Sequence, residues 1–107
     1  KARYISEAES LDHVAGYCVC NDVSEREFQQ ERGGTWDKGK GADTFGPTGP
    51  WMVTRDEVPD PQSLTLTVDV SGERLQEAGT NTMIFSVAHL IADVSRAISR
   101  TETSSTR

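Results

Sequence analysis

Between Gly33 and Pro50 the chain carries six glycines and two prolines. No steady hydrophobic period runs through them, so this middle stretch reads as a long loop. Long ordered loops in compact domains are usually functional, and this one holds Trp36, Lys38, Lys40, Asp43 and Phe45. It also divides the chain. Before it, Ser6 and Glu9 have capping-box spacing and predict a short helix near residues 7–13. The apolar run Val14–Cys20 (VAGYCVC) predicts a buried strand, because β-branched and aromatic residues dominate it. Ser24 with Glu27 repeats the capping spacing and predicts a second helix through about Arg32, carrying Phe28 inward.

Beyond the loop, Trp51–Arg55 fits a strand, and Pro59 with Pro61 interrupts the chain before a second one. Leu64–Val70 (LTLTVDV) alternates apolar and polar residues, as a half-buried strand does. Ser71 and Gly72 fit a two-residue turn into Glu73–Gln76, giving a β-hairpin with one face in water. Ser86 is placed to cap a last helix whose Val87, Leu90, Ile91, Val94 and Ile98 keep helical spacing. Arg96 and Arg100 suit the negative end of its dipole. Residues 101–107 have nothing to bury and read as a polar tail.

Charge and apolar content narrow the function classes. The formal net charge is −6, which argues against nucleic acid as a partner, since phosphate binding needs clustered Lys and Arg. Hydrophobic residues make up 35% of the chain, low for a self-sufficient globule, so part of the packing is expected from elsewhere. No apolar run approaches twenty residues and no basic start leads into one, so neither a membrane span nor a signal peptide is expected. The expected compartment is the cytoplasm. Cys18 and Cys20 lie two apart on the predicted strand, a spacing that suits neither a zinc knuckle nor a redox CxxC, and read as reduced, buried thiols.

Asp22 leaves a predicted buried strand just before a helix start, where a carboxylate serves as a metal ligand or as a helix cap. Lys38 and Lys40 sit among glycines, where an ammonium and open backbone N–H groups can hold a carboxylate or oxyanion; solvated lysines are the alternative. The loop is no P-loop, because no Gly-Lys-Ser/Thr closes a six-residue glycine frame. His13 falls at a helix end and reads as structural. His89 lies four residues before Asp93 on a polar helix face and reads as a solvated pair. Trp36 and Trp51 bracket the loop, and packing is the commoner use of indole rings.

Three segments carry a family resemblance: Val14–Gln29 (VAGYCVCNDVSEREFQ), Trp36–Trp51 (WDKGKGADTFGPTGPW) and Met83–Leu90 (MIFSVAHL). Together they resemble the fumarylacetoacetate hydrolase family, in the branch of bacterial diketo-sugar-acid hydrolases and 2-hydroxyhepta-2,4-diene-1,7-dioate isomerases. TRDEVPDP at Thr54–Pro61 and the VSGER hairpin extend the match over nearly all of Arg3–Ser95. The resemblance implies an α+β fold, a mixed sheet rolled into a β-sandwich roll with short helices at its edge, commonly as a homodimer. It implies divalent-metal-dependent hydrolysis of a carbon–carbon bond in a small diketo acid, with isomerase or decarboxylase action on a related 2-keto acid as the alternative. Asp22 is similar to the family aspartate that binds Mg²⁺ or Mn²⁺, with Ca²⁺ also possible. Lys40 matches the catalytic and substrate-binding lysine of the glycine-lysine loop, Gln29 a substrate-binding glutamine, and Thr44 a loop hydroxyl near the metal.

The resemblance also marks departures. The family's Glu-x-Glu metal pair has no counterpart here, since Glu7 and Glu9 have the spacing but are better explained as first-turn acids of a capped helix. One carboxylate cannot hold magnesium tightly, so residues 1–100 are expected to form a partial catalytic domain, truncated at both ends, that binds metal weakly or is catalytically silent.

Overall fold

The structure is a computed structural model that describes residues 2–97. They fall into two compact units, one of residues 2–15 and 58–97, the other Gly16–Glu57. Ile98, Arg100 and the tail at 101–107, assigned above to a helix end and a polar extension, lie outside the described residues. Among the described residues no helix is long and apolar enough to cross a membrane.

In the first unit, α1 (Glu7–Ser10) continues into a 3₁₀ turn at Leu11–His13, matching the predicted helix. The Glu9 carboxylate accepts from the Ser6 hydroxyl at 2.5 Å and from the Ser6 N–H at 3.4 Å. These bonds occupy donors that a short helix otherwise leaves to water. They also hold the Glu9 carboxyl below its ordinary pKa, the Ser6 hydroxyl contributing most.

Strands β3 (Thr65–Val70) and β4 (Glu73–Gly79) form the expected hairpin. Ser71 at φ 53 and Gly72 at φ 85 make its turn. Two successive left-handed residues match the right-handed twist of paired strands. The alternation read from LTLTVDV does not produce a buried face: Leu66 and Val70 are about half exposed, and Val68 is the most protected residue of β3. A two-stranded ribbon with nothing stacked on it leaves both faces open.

The last helix, α4 (Val87–Ala97), begins where Ser86 predicts it, and the Ser86 Oγ accepts from the His89 N–H at 3.0 Å. Here α4 packs on α1 through small residues, with Ser10, Ala92 and Ser95 buried. Ser95 accepts from the backbone N–H groups of Tyr4 and Ile5, each at 3.2 Å. At the other end of α4, the Gln62 Oε1 accepts from the Val87 N–H at 2.9 Å while its Nε2 donates to the Thr80 carbonyl. One side chain thus joins the hairpin's end to the helix start. His89 does not pair with Asp93. It turns to Glu7 at 3.2 Å and stacks on Phe85, because an acid reaching over from α1 and a neighbouring ring outcompete an exposed i,i+4 contact.

In the second unit, β1 (Gly16–Cys20) pairs antiparallel with β2 (Thr48–Thr54), three residues longer at its start than predicted. The bond from the Asn21 N–H to the Pro47 carbonyl, 3.0 Å, extends the pairing to the residue before Asp22. Cys18 and Cys20 are free but exposed, not buried. Trp36 and Trp51 are likewise exposed. For the two cysteines and Trp51 the reason is shared: β1 and β2 have only each other as strand partners within their unit, so apolar content alone covers neither face.

Two outcomes follow for this scaffold. Gly72→Ala forces a Cβ into the left-handed region and should lower stability by about 1–2 kcal/mol in urea unfolding. The Ser6–Glu9 cap should be at full strength above the ordinary glutamate range. It should fade as pH falls through the lowered folded value, seen as acid-induced loss of helical circular dichroism that Glu9→Gln does not share.

Candidate functional site

The stretch read as one long loop contains a helix, α3 (Trp36–Lys40), with Thr35 at its N-cap position, Asp37 in its first turn, and Lys38 and Lys40 in its last. Charge placed to suit the helix dipole offsets the low propensity of Gly39. The preceding helix, α2 (Arg26–Gln30), is shorter than the Ser24 cap predicts. Glu25 caps it instead, its carboxylate accepting from the N–H groups of Glu27 at 3.3 Å and Phe28 at 2.7 Å. The residue carried inward is Gln29, 1% exposed, and not Phe28, 40% exposed.

That inversion has a visible cause. The Glu25 N–H donates to the Gly39 carbonyl at 2.9 Å, which sets α3 directly on α2. A Cβ on Gly39 would stand 2.4 Å from the Gln29 Cβ and 2.8 Å from the Glu25 carbonyl oxygen, so only glycine fits at the crossing. Gln29 lies beneath it, and its Oε1 accepts from Arg26 while its Nε2 has no partner. A buried amide left half-satisfied costs on the order of 1–3 kcal/mol. Gln29 is therefore not open to a ligand in this structure; it is part of the floor on which α3 rests.

Lys40 directly follows the crossing. Its Nζ stands 2.5 Å from the Asp22 Oδ2 and 2.5 Å from the Ser24 Oγ. Ser24 in turn donates to the Asp22 carbonyl at 3.1 Å, and the Val23 N–H donates to the Asn21 carbonyl at 2.9 Å, a tight turn that presents Asp22. The Lys40 side chain is 27% exposed and that of Asp22 78%. Of the predicted site residues, Asp22 and Lys40 are thus brought together. Lys38 is exposed, as a solvated lysine. Thr44 is exposed in a turn closed by the Phe45 N–H and the Ala42 carbonyl, and its φ of 69 is strained for a β-branched residue. Ser24 was read as a helix cap, and its place at the lysine was missed. Its signal was present in the Asn-Asp-x-Ser order, which sets a hydroxyl two residues past the carboxylate.

As a metal centre these residues are incomplete. Asp22 offers a hard carboxylate oxygen, suited to Mg²⁺ or Mn²⁺. Among the described residues, no three His, Cys, Asp or Glu side chains gather to hold an ion. The donor set does not by itself fit a divalent cation.

The family model described as fumarylacetoacetate (FAA) hydrolase C-terminal matches residues 1–101. A curated relative in Burkholderia multivorans, whose name assigns it provisionally to the hydrolases, is 69% identical over 91 residues, 85% of this chain and 32% of its own length. The chain spans about a third of the length of the curated relatives it matches. Among solved structures, a 2-hydroxyhepta-2,4-diene-1,7-dioate isomerase from Mycobacterium marinum is 39% identical with a TM-score of 0.81, covering 91% of this chain and 37% of that one. A fumarylacetoacetate hydrolase from Exiguobacterium antarcticum is 36% identical with a TM-score of 0.80, covering 89% and 34%.

Gly39→Ala should lower stability by about 1–3 kcal/mol, the usual cost of overpacking. Differential scanning calorimetry checks it, and an unchanged Tm would mean the α2–α3 crossing yields without cost.

Proposed function

The chain belongs to the fumarylacetoacetate hydrolase family, and from that membership we propose that the whole protein hydrolyses a carbon–carbon bond in a small diketo acid with Lys40 as its catalytic cation. Family members are hydrolases and isomerases that generally depend on a divalent metal, and their α+β fold is the one seen here. The observation that carries the reading is the fixed ammonium of Lys40 between Asp22 and Ser24. An ammonium has three N–H donors. Two are used, and the third is left for a ligand's carboxylate or keto oxygen.

Hydrolysis puts the hydroxyl of water on one carbonyl carbon and sends the electron pair of the broken carbon–carbon bond into an enolate, which then takes up a proton. A preset cation beside that enolate lowers the barrier because it does not reorganise as the charge appears. Thr44, strained and exposed in the same loop, supplies a hydroxyl to the ligand; strain of this kind concentrates at binding sites. Gln29 supports Lys40 from beneath. Asp22 would offer one carboxylate oxygen to an Mg²⁺ or Mn²⁺ ion, with Ca²⁺ a further candidate. Such an ion, held there with further donors, would supply polarisation of the keto oxygen. An isomerase or decarboxylase acting on a related 2-keto acid would use the same enolate, and the Mycobacterium marinum isomerase keeps that second reading open. The reading includes a homodimer working in the cytoplasm.

The test is steady-state hydrolysis of a 2,4-diketo acid with Mn²⁺, together with Mn²⁺ titration calorimetry in the presence of oxaloacetate. In the whole protein, Lys40→Met should cut kcat by roughly 100- to 1,000-fold. Asp22→Ala should abolish metal binding. A Lys40→Met variant with full kcat would overturn the reading.

A further inference from the structure

We propose that Ser24 is a positioning residue for Lys40, selecting the one rotamer in which its ammonium faces the ligand; this rests on the proposed role of Lys40. The starting point is what an ion pair cannot do. A lysine side chain has four rotatable bonds and much rotamer entropy to lose, whereas an ion pair to a carboxylate as exposed as that of Asp22 stabilises too little to offset that loss. The carboxylate alone would leave the ammonium spread over many positions around an exposed aspartate.

Ser24 supplies the missing constraint. Its hydroxyl proton is directed at the Asp22 carbonyl, 3.1 Å away, so the oxygen meets Lys40 as an acceptor. The Lys40 Nζ lies 2.5 Å from that oxygen and 2.5 Å from the Asp22 Oδ2, and two fixed acceptors define a direction for the remaining N–H. The backbone enforces the arrangement: Glu25, next after Ser24, donates its N–H to the carbonyl of Gly39, next before Lys40, at 2.9 Å. The two side chains therefore leave neighbouring points of one hydrogen-bonded frame, and Gly39 allows that frame to close. Asp22, engaged on Oδ2, keeps its other oxygen for a ligand.

Two measurements on the whole protein test this. The first is the rate of reductive methylation of Lys40 against exposed Lys38, read by peptide mass spectrometry without substrate or metal. Lys40 should react several-fold slower than Lys38. Ser24→Ala should raise the Lys40 rate alone, and Ser24→Thr, which keeps the hydroxyl, should restore protection. The second is steady-state kinetics on a 2,4-diketo acid. Ser24→Ala should lower kcat on the order of 10- to 100-fold, the effect of a slightly misplaced group, with little change in KM. Ser24→Thr should recover most of it. An unchanged Lys40 labelling rate in Ser24→Ala overturns the inference, and so does unchanged kcat in Ser24→Ala beside an inactive Lys40→Met. If Lys40→Met is itself fully active, the reading of Lys40 fails first, and the labelling result still decides whether Ser24 holds it.

Discussion

The bond from the Glu25 N–H to the Gly39 carbonyl makes two five-residue helices into one object. Helices of that length are far too short to persist on propensity. What holds them is the close approach that a missing Cβ permits, with the Gln29 side chain closed over beneath. Ser24 and Lys40, sixteen residues apart, are the immediate flanks of that bond, and the candidate site is its by-product. The energetic order matters: backbone geometry sets the pair, and the exposed charges only decorate it.

Elsewhere too, polar ties stand where apolar burial would be expected. In the unit that contains α4, small residues line the contact with α1, and the bonds of Ser95 and Gln62 fix the chain at both helix ends. The β1–β2 and β3–β4 ribbons each show large apolar side chains to solvent, Trp51 and Leu75 among them. Two-stranded ribbons are marginal by themselves. The solved relatives extend well beyond the matched region, since this chain covers little more than a third of them. Asp22 is a single hard ligand in its surroundings: among the described residues no three His, Cys, Asp or Glu side chains gather to hold an ion.

How far the sequence was legible differed by element. The capped first helix, the Ser71–Gly72 hairpin and the last helix each announce themselves locally, through a cap, a turn that needs left-handed residues, and a helical stripe. The glycine-rich middle did not, because its density of glycine reads as a loop while one of those glycines, Gly39, serves as a helix contact. Gln29 and Phe28 exchanged their expected places for the same reason, since which face of α2 is inward depends on where α3 lies. His89 found Glu7 across the unit, and nothing in the local spacing foretold it.

By itself, the sequence determined which residues could do chemistry and the order in which they arrive: a carboxylate and a hydroxyl after a strand, then a lysine among glycines. It determined the Ser71–Gly72 turn and the Ser6 and Ser86 caps as well, because these depend on bonds within three or four residues, whereas the cap expected at Ser24 passed to Glu25. Only the tertiary structure decided that Ser24 belongs to Lys40, that Gln29 is floor rather than surface, and that Cys18 and Cys20 stand open. Those outcomes depend on which backbone groups meet across many residues and on how many partners a strand has, and periodicity and propensity carry neither kind of information.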